Sequence, residues 1–258
     1  MDKIVADTVR AVSFLSRLPV PGRYFSDGAV PAAQSSRSYP LAALIVALPA
    51  AALLFLLRSV GLDALFAAAL TVLVLALTTG ALHEDGLADC ADGFGGGRDR
   101  DRVLAIMKDS AVGAYGCTAL VFSILLRIAG VAAIASGTSA AAAALAVIGV
   151  AVISRAAMVW HWHYLPAAKP DGVAASAGQP SSDSTAFALI SGVVIGGVLS
   201  LPAAGFGGAI TALLLAAILC SGFTRMTSAR INGHTGDTIG ATQQVCEIVS
   251  LLGLALWI

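Results

Sequence analysis

Apolar runs, each near the length needed to cross a bilayer, follow one another along almost the whole chain. They lie near 41–57, 62–82, 111–135, 140–160, 187–201, 207–223 and 241–258. A transmembrane helix needs about 20 mostly apolar residues, and a segment in lipid must satisfy its backbone groups internally. Helices are therefore the expected elements. The fifth run is short and precedes Pro202, which leaves open a tight hairpin of the fifth and sixth. The last run leaves open a partly interfacial position. The expected fold is all-α: a polytopic integral membrane helical bundle of about seven transmembrane helices, one domain over residues 1–258.

Composition agrees. Hydrophobic residues make up 58% and charged residues 12% of the chain, against roughly 45–50% and about 25% in soluble domains. Net charge is zero, which removes the electrostatic basis for general nucleic-acid binding. The four cysteines form no C-x-x-C pair and suggest no disulfide framework. Residues 1–20 carry charges among helically spaced Ile4, Val5, Val12 and Leu15, and read as an amphipathic interfacial helix rather than a cleavable signal.

Orientation follows from the basic residues. With the N-terminus cytoplasmic, 13 of the 15 Lys and Arg fall inside, and only Arg58 and Arg127 outside. Three polar loops, 83–110, 161–184 and 224–240, then share the cytoplasmic face. The expected setting is a bacterial-type inner membrane with the active site facing the cytoplasm.

The first loop opens His83-Glu-Asp-Gly-Leu-Ala-Asp-Cys-Ala-Asp-Gly93. On a helix Asp85, Asp89 and Asp92 fall within an arc of about 60°. Carboxylates about 6 Å apart repel by roughly 3 kcal/mol per pair at an effective dielectric near 20. A hard cation such as Mg²⁺, shared with substrate phosphates, would relieve that cost. His83 could move a proton or donate to a phosphate. Glu84 points off the aspartate face and reads as a solvated helix end.

Further along, Gly93-Phe-Gly-Gly-Gly97 would let a loop approach a phosphate, with Arg98 beside it. Lys108 could pair with a phosphate, Asp109 could join a metal shell, and Ser110 could bind substrate or cap the helix of the third run. Arg155 lies in an apolar span, where an arginine needs a phosphate or carboxylate partner. Trp160-His-Trp-His163 resembles a metal tag, but histidines two apart do not share a helix face, and Trp at a span end is an interfacial belt. Gly192-x-x-x-Gly196 is a helix-contact pattern. In Asn232–Gly240, Gly236 and Thr238 would bind phosphate at a helix start, Asp237 would offer a further metal ligand, and either Asp237 or Thr238 would cap the last span.

Taken together, His83-x-Asp-Gly-Leu-Ala-Asp-x-x-Asp-Gly93, Lys108-Asp-Ser-x-x-Gly113-x-x-Gly116, Ile153-Ser-Arg155, Gly233-x-Thr-Gly-Asp-Thr-x-Gly-Ala241 and the early Phe14-Leu-Ser-Arg-Leu-Pro19 resemble the cobalamin synthase family, adenosylcobinamide-GDP ribazoletransferase, over nearly the full chain. The resemblance implies a Mg²⁺-dependent membrane enzyme. A ribose hydroxyl of α-ribazole, or of its 5′-phosphate, would attack the cobinamide-bearing phosphorus of adenosylcobinamide-GDP and release GMP. It leaves open a homo-oligomer or a complex with other cobalamin-assembly enzymes. Gln243-Gln244 stands where many relatives have a glutamate, and Lys169 where an arginine is commoner.

Two other classes share part of this pattern. A CDP-alcohol phosphotransferase shares the opening Asp85-Gly-Leu-Ala, but its following Arg is Asp89 here and its later spaced aspartates are missing. An ion-coupled transporter would hold its acids at the midplane, whereas these gather at one face.

Overall fold

The structure is a computed structural model that describes residues 3–25, 30–170 and 172–258. Ten α-helices are named among these residues: α1 Lys3–Leu15, α2 Tyr39–Ser59, α3 Ala64–Thr79, α4 Leu82–Gly96, α5 Arg100–Ile106, α6 Ala114–Gly137, α7 Ala140–Tyr164, α8 Val173–Ser176, α9 Ser182–Ile231 and α10 Gly236–Ala255. Four stretches are long and apolar enough to cross a membrane: 32–59, α6, α7 and α9. The pair α3–α4, bent by 90°, passes the same test only when taken together, and its apolar part lies in α3. The result is an all-helical membrane bundle.

The bend has a local cause. Two consecutive residues, Gly80 at φ 65° and Ala81 at φ 57°, stop α3 in the left-handed region. The α3 limb is the apolar one, capped at its start by Asp63, whose Oδ1 accepts from Leu65 N at 2.9 Å. The polar stretch of α4 from Asp85 onward lies beyond it.

The long α9 is a hairpin. Its Gly205 has φ 60°, ψ −169°, outside helical geometry and just after Pro202. Before the break, Gly192 lies against Ala156 and Ser200 against Gly149 of α7, so this limb runs antiparallel to α7. After it, Cys220 Sγ reaches Ala157 O at 3.5 Å, and Thr224 pairs with His161. The second limb therefore runs parallel to α7, and the chain has reversed. Gly196 belongs to the same close contact: a Cβ there would lie 2.9 Å from Gly149 O. The sequence pattern of a tight hairpin and of Gly192-x-x-x-Gly196 as a packing motif matches this arrangement.

At the centre stands α10, packed against α4, α6, α7 and α9. Its surface is largely interior to the bundle: Thr238, Gly240–Gln244, Cys246, Glu247, Ser250 and Leu251 are all buried. A capping box starts it, with Thr235 as N-cap and Thr238 as its partner; the sequence placed the cap at Asp237 or Thr238. The apolar core joins Ala- and Val-rich faces of α2, α3, α6 and α7 with Leu251 and Leu254 of α10. The amphipathic α1 packs Ala11, Val12 and Leu15 inward, ties its buried Asp7 to Arg37 at 2.7 Å, and leaves Ile4, Val5 and Phe14 exposed.

Candidate active site

Two helices cross at glycines. A Cβ on Gly86 of α4 would lie 2.6 Å from Asp237 O and 3.0 Å from its Cα, and one on Gly240 of α10 would lie 3.4 Å from the His83 Cα. Only hydrogen at Gly86 lets the two backbones meet. This contact carries Asp85 and Asp89 to Asp237 from two directions. The three carboxyls stand in mutual Coulomb range: burial, then Asp237, Asp85 and Asp92, push Asp89 up to about 7. Burial also raises Asp237, partly offset by a hydrogen bond from the Thr235 hydroxyl at 3.1 Å. Gly86→Ala should separate the helices, lowering stability by about 1–3 kcal/mol as overpacking does and activity with it. Thermal unfolding and turnover of the purified variant check this.

Asp92 has a different task. Its two carboxylate oxygens accept N–H bonds from Gly113 at 2.7 Å and Gly116 at 2.9 Å. It thus caps α6 from a neighbouring helix, where a negative charge meets the positive end of the helix dipole. Ser110, expected to cap this helix, is exposed and makes no such bond. A Cβ on Gly113 would lie 2.5 Å from Asp92, so the glycines of that turn make room for the carboxylate.

Among the described residues no three His, Cys, Asp or Glu side chains come together closely enough to hold a metal by themselves. The donors at the crossing are hard carboxylate oxygens, the type that Mg²⁺ takes, and Mg²⁺ usually binds through one or two carboxylates plus phosphate oxygens. The residues fit an ion that arrives with a diphosphate, rather than one held in a protein cage.

The surroundings are polar and stitched together. His234 N donates to Pro166 O at 2.8 Å and Ala168 N to His234 O at 2.9 Å, which zips the 165–169 loop to the turn before α10. Arg100 donates to Ile231 O at 3.1 Å and to Ala168 O, locking α5 onto both. Burial lowers His234 to about 4, so it is neutral here. Beside Asp92, a cleft of about 230 Å³ is lined by Arg102, Asp109, Gly113 and Tyr115. Arg98, Lys108, Asp109, Ser110 and Gly236 are exposed on this polar side.

Several sequence expectations change here. Gly93–Gly96 are not a loop but the last turn of α4; a Cβ on Gly93 would meet Met107, the residue after α5, at 2.5 Å, and one on Gly95 the Tyr115 ring at 2.7 Å. These glycines serve packing. Thr238 is buried, engaged with Thr235 and with His161 at 3.1 Å. His161 and His163 diverge: the first bridges Thr224 and Thr238, the second meets Pro180 O at 2.7 Å.

Arg127, counted as an outer residue, is buried inside α6, 2% exposed. Its Nη1 donates to Glu84 Oε1 at 2.6 Å and its Nε to Glu247 Oε1 at 2.7 Å. Glu84 is consequently no solvated helix end. Arg155 Nη1 reaches Glu247 Oε2 at 3.2 Å, so its carboxylate partner lies on α10. Gln243 also donates to Glu247, and Gln244 accepts from Ser123 at 2.7 Å. The signal for this cluster was present in the sequence as charges within apolar runs; the partners were not. His83 is buried beside it, and neither ring nitrogen has a hydrogen-bond partner.

Residues 7–255 match the family model described as cobalamin-5-phosphate synthase. The chain is 50% identical over 254 residues to an adenosylcobinamide-GDP ribazoletransferase of Rhizobium meliloti (strain 1021), covering 97% of this chain and 96% of that one. It is 48% identical over 256 residues to the enzyme of that name from a Sinorhizobium species, covering 97% and 96%. For the Brucella anthropi protein of that name the identity is 42% over 255 residues, covering 99% and 98%. No solved structure matches.

Proposed function

The chain belongs to the cobalamin-5-phosphate synthase family and is a transferase of cobalamin synthesis, and from that premise we propose the reaction and its site. The donor is adenosylcobinamide-GDP and the acceptor the ribose hydroxyl of α-ribazole or its 5′-phosphate. The hydroxyl oxygen forms a bond to the cobinamide-bearing phosphorus, the phosphoanhydride bond to GMP breaks, and the hydroxyl proton passes to a base at the site. The product is adenosylcobalamin or its 5′-phosphate. The protein sits in a bacterial inner membrane with the acidic crossing facing the cytoplasm, as the basic residues of the polar loops favour.

One observation carries the site assignment: the Gly86–Gly240 crossing brings Asp85 and Asp89 of one helix within Coulomb range of Asp237 on the other. Asp85, Asp89 and Asp237 would hold Mg²⁺, which when bound neutralises diphosphate charge and favours departure of GMP. Asp92 orients the assembly by fixing α6 to α4. Lys108, Arg98 and Arg102, exposed at the same end, offer cationic side chains to the nucleotide phosphates. His83, or an aspartate not engaged by a cation, is the proton acceptor. Arg155 contributes from within through Glu247 rather than by touching phosphate.

The test is a product assay on purified protein with adenosylcobinamide-GDP and α-ribazole, with and without Mg²⁺. Corrinoid product and GMP in equal amounts, only with the divalent ion, are expected. Mg²⁺ should also raise the unfolding temperature of the wild type. GMP formation at full rate in excess chelator would remove the metal from the reading. Uptake of substrate by vesicles with no product would turn the reading to a transporter.

A further inference from the structure

We propose that Arg127 is a positioning residue for the transfer reaction: its guanidinium sets the pose of α4 against α10 and thereby the spacing of the acidic side chains at their crossing. The inference rests on the reading of that crossing given above. Glu84 adjoins Asp85 on α4, and Glu247 shares α10 with Asp237. Arg127, on a third helix, grips both glutamates, Glu84 through Nη1 at 2.6 Å and Glu247 through Nε at 2.7 Å. One planar fork thus ties together the two helices that present the carboxyls. The ties leave from different nitrogens in a fixed relation, which a lysine cannot copy.

Mere adhesion does not explain the arrangement. Buried ion pairs can often be replaced by well-packed apolar residues without loss of stability. Here two Arg and two Glu are buried within a bundle already rich in small-residue contacts. Gly86 and Gly240 allow close approach, but smooth contacts of that kind leave α4 free to slide or turn. A directional double hydrogen bond selects one register. The rest of the cluster holds the fork in place: Gln244 Oε1 accepts from Ser123 Oγ at 2.7 Å and from Arg127 Nη1 at 3.3 Å, and Arg155 takes the second oxygen of Glu247.

The decisive variant is Glu84→Gln/Arg127→Met. It removes one carboxylate and one guanidinium together and leaves Glu247 with Arg155, so no buried charge is stranded. It is compared with wild type, with Arg127→Lys, and with Leu54→Ala, a fully buried core position on α2. The readouts are kcat, KM for adenosylcobinamide-GDP, the Mg²⁺ concentration for half-maximal rate, and the unfolding temperature. The double variant should fold, lose about tenfold or more in kcat, and need about tenfold more Mg²⁺, the scale seen when groups supporting metal ligands are lost. Arg127→Lys keeps the charge but not the fork and should show the same two changes. Leu54→Ala should lower the unfolding temperature and leave the Mg²⁺ requirement unchanged.

Wild-type kcat and Mg²⁺ requirement in the double variant overturn the proposal. Should that variant not accumulate, the same result in Arg127→Lys overturns it. A wild-type protein that fails to make product, or ignores Mg²⁺, instead brings down the functional reading, and the positioning role with it.

Discussion

Replacing Asp89 by Asn should abolish turnover, by about a thousandfold or more if the carboxylate helps a metal stabilise several kcal/mol of transition-state charge, while leaving the protein folded. At the crossing Asp89 is lifted to about 7, by burial first and then by Asp237, Asp85 and Asp92. An amide of the same size removes that charge. In chelator the variant should therefore melt no lower than wild type. The sign of the pH dependence is fixed by the direction of the shift. A carboxyl whose folded pKa is raised favours the folded state at low pH, and this contribution is lost as pH rises from the usual carboxylate range through about 7. Chelated wild type should lose stability over that window, and the Asn variant should lose less. Near-normal product formation by Asp89→Asn would end the metal assignment.

The second large effect is on stability. Arg127→Ala should cost about 3–5 kcal/mol, the range found when one member of a buried ion pair is deleted. It leaves Glu84 and Glu247 facing a single cation, Arg155, inside the bundle. Low accumulation in membranes and a steep fall in unfolding temperature in detergent are the measurements. A melt within a few degrees of wild type would mean that water reaches the cluster.

The helices could be read from the chain because apolar run length and breakers act locally. Pro202 with Gly205, and the small residues at 192 and 196, carry their packing consequences in their own side chains or lack of them. The acidic helix was legible for the same reason, since spacing alone sets which aspartates share a face. Asp92 was not: its carboxylate caps a helix that begins 22 residues later, and one sequence does not say which helix start will swing beside it. The Gly93–Gly97 run misled because glycine serves loops and tight packing equally; the helical form of Gly93–Gly96 goes with Met107 and Tyr115 lying against it. Arg127 and Glu247 each signalled an interior role by standing among apolar residues. That they share one site depends on the relative depth and rotation of two helices, which spacing along the chain does not encode.

The axle of the molecule is α10, which packs against α4, α6, α7 and α9. Without α10, Arg127 and Arg155 lack Glu247, their common counter-ion. Arg127 would keep only Glu84, and Arg155 would lose the one carboxylate it is paired with. Docking of α10 therefore does two things at once: it fills the centre of the bundle and balances the charge of the buried arginines.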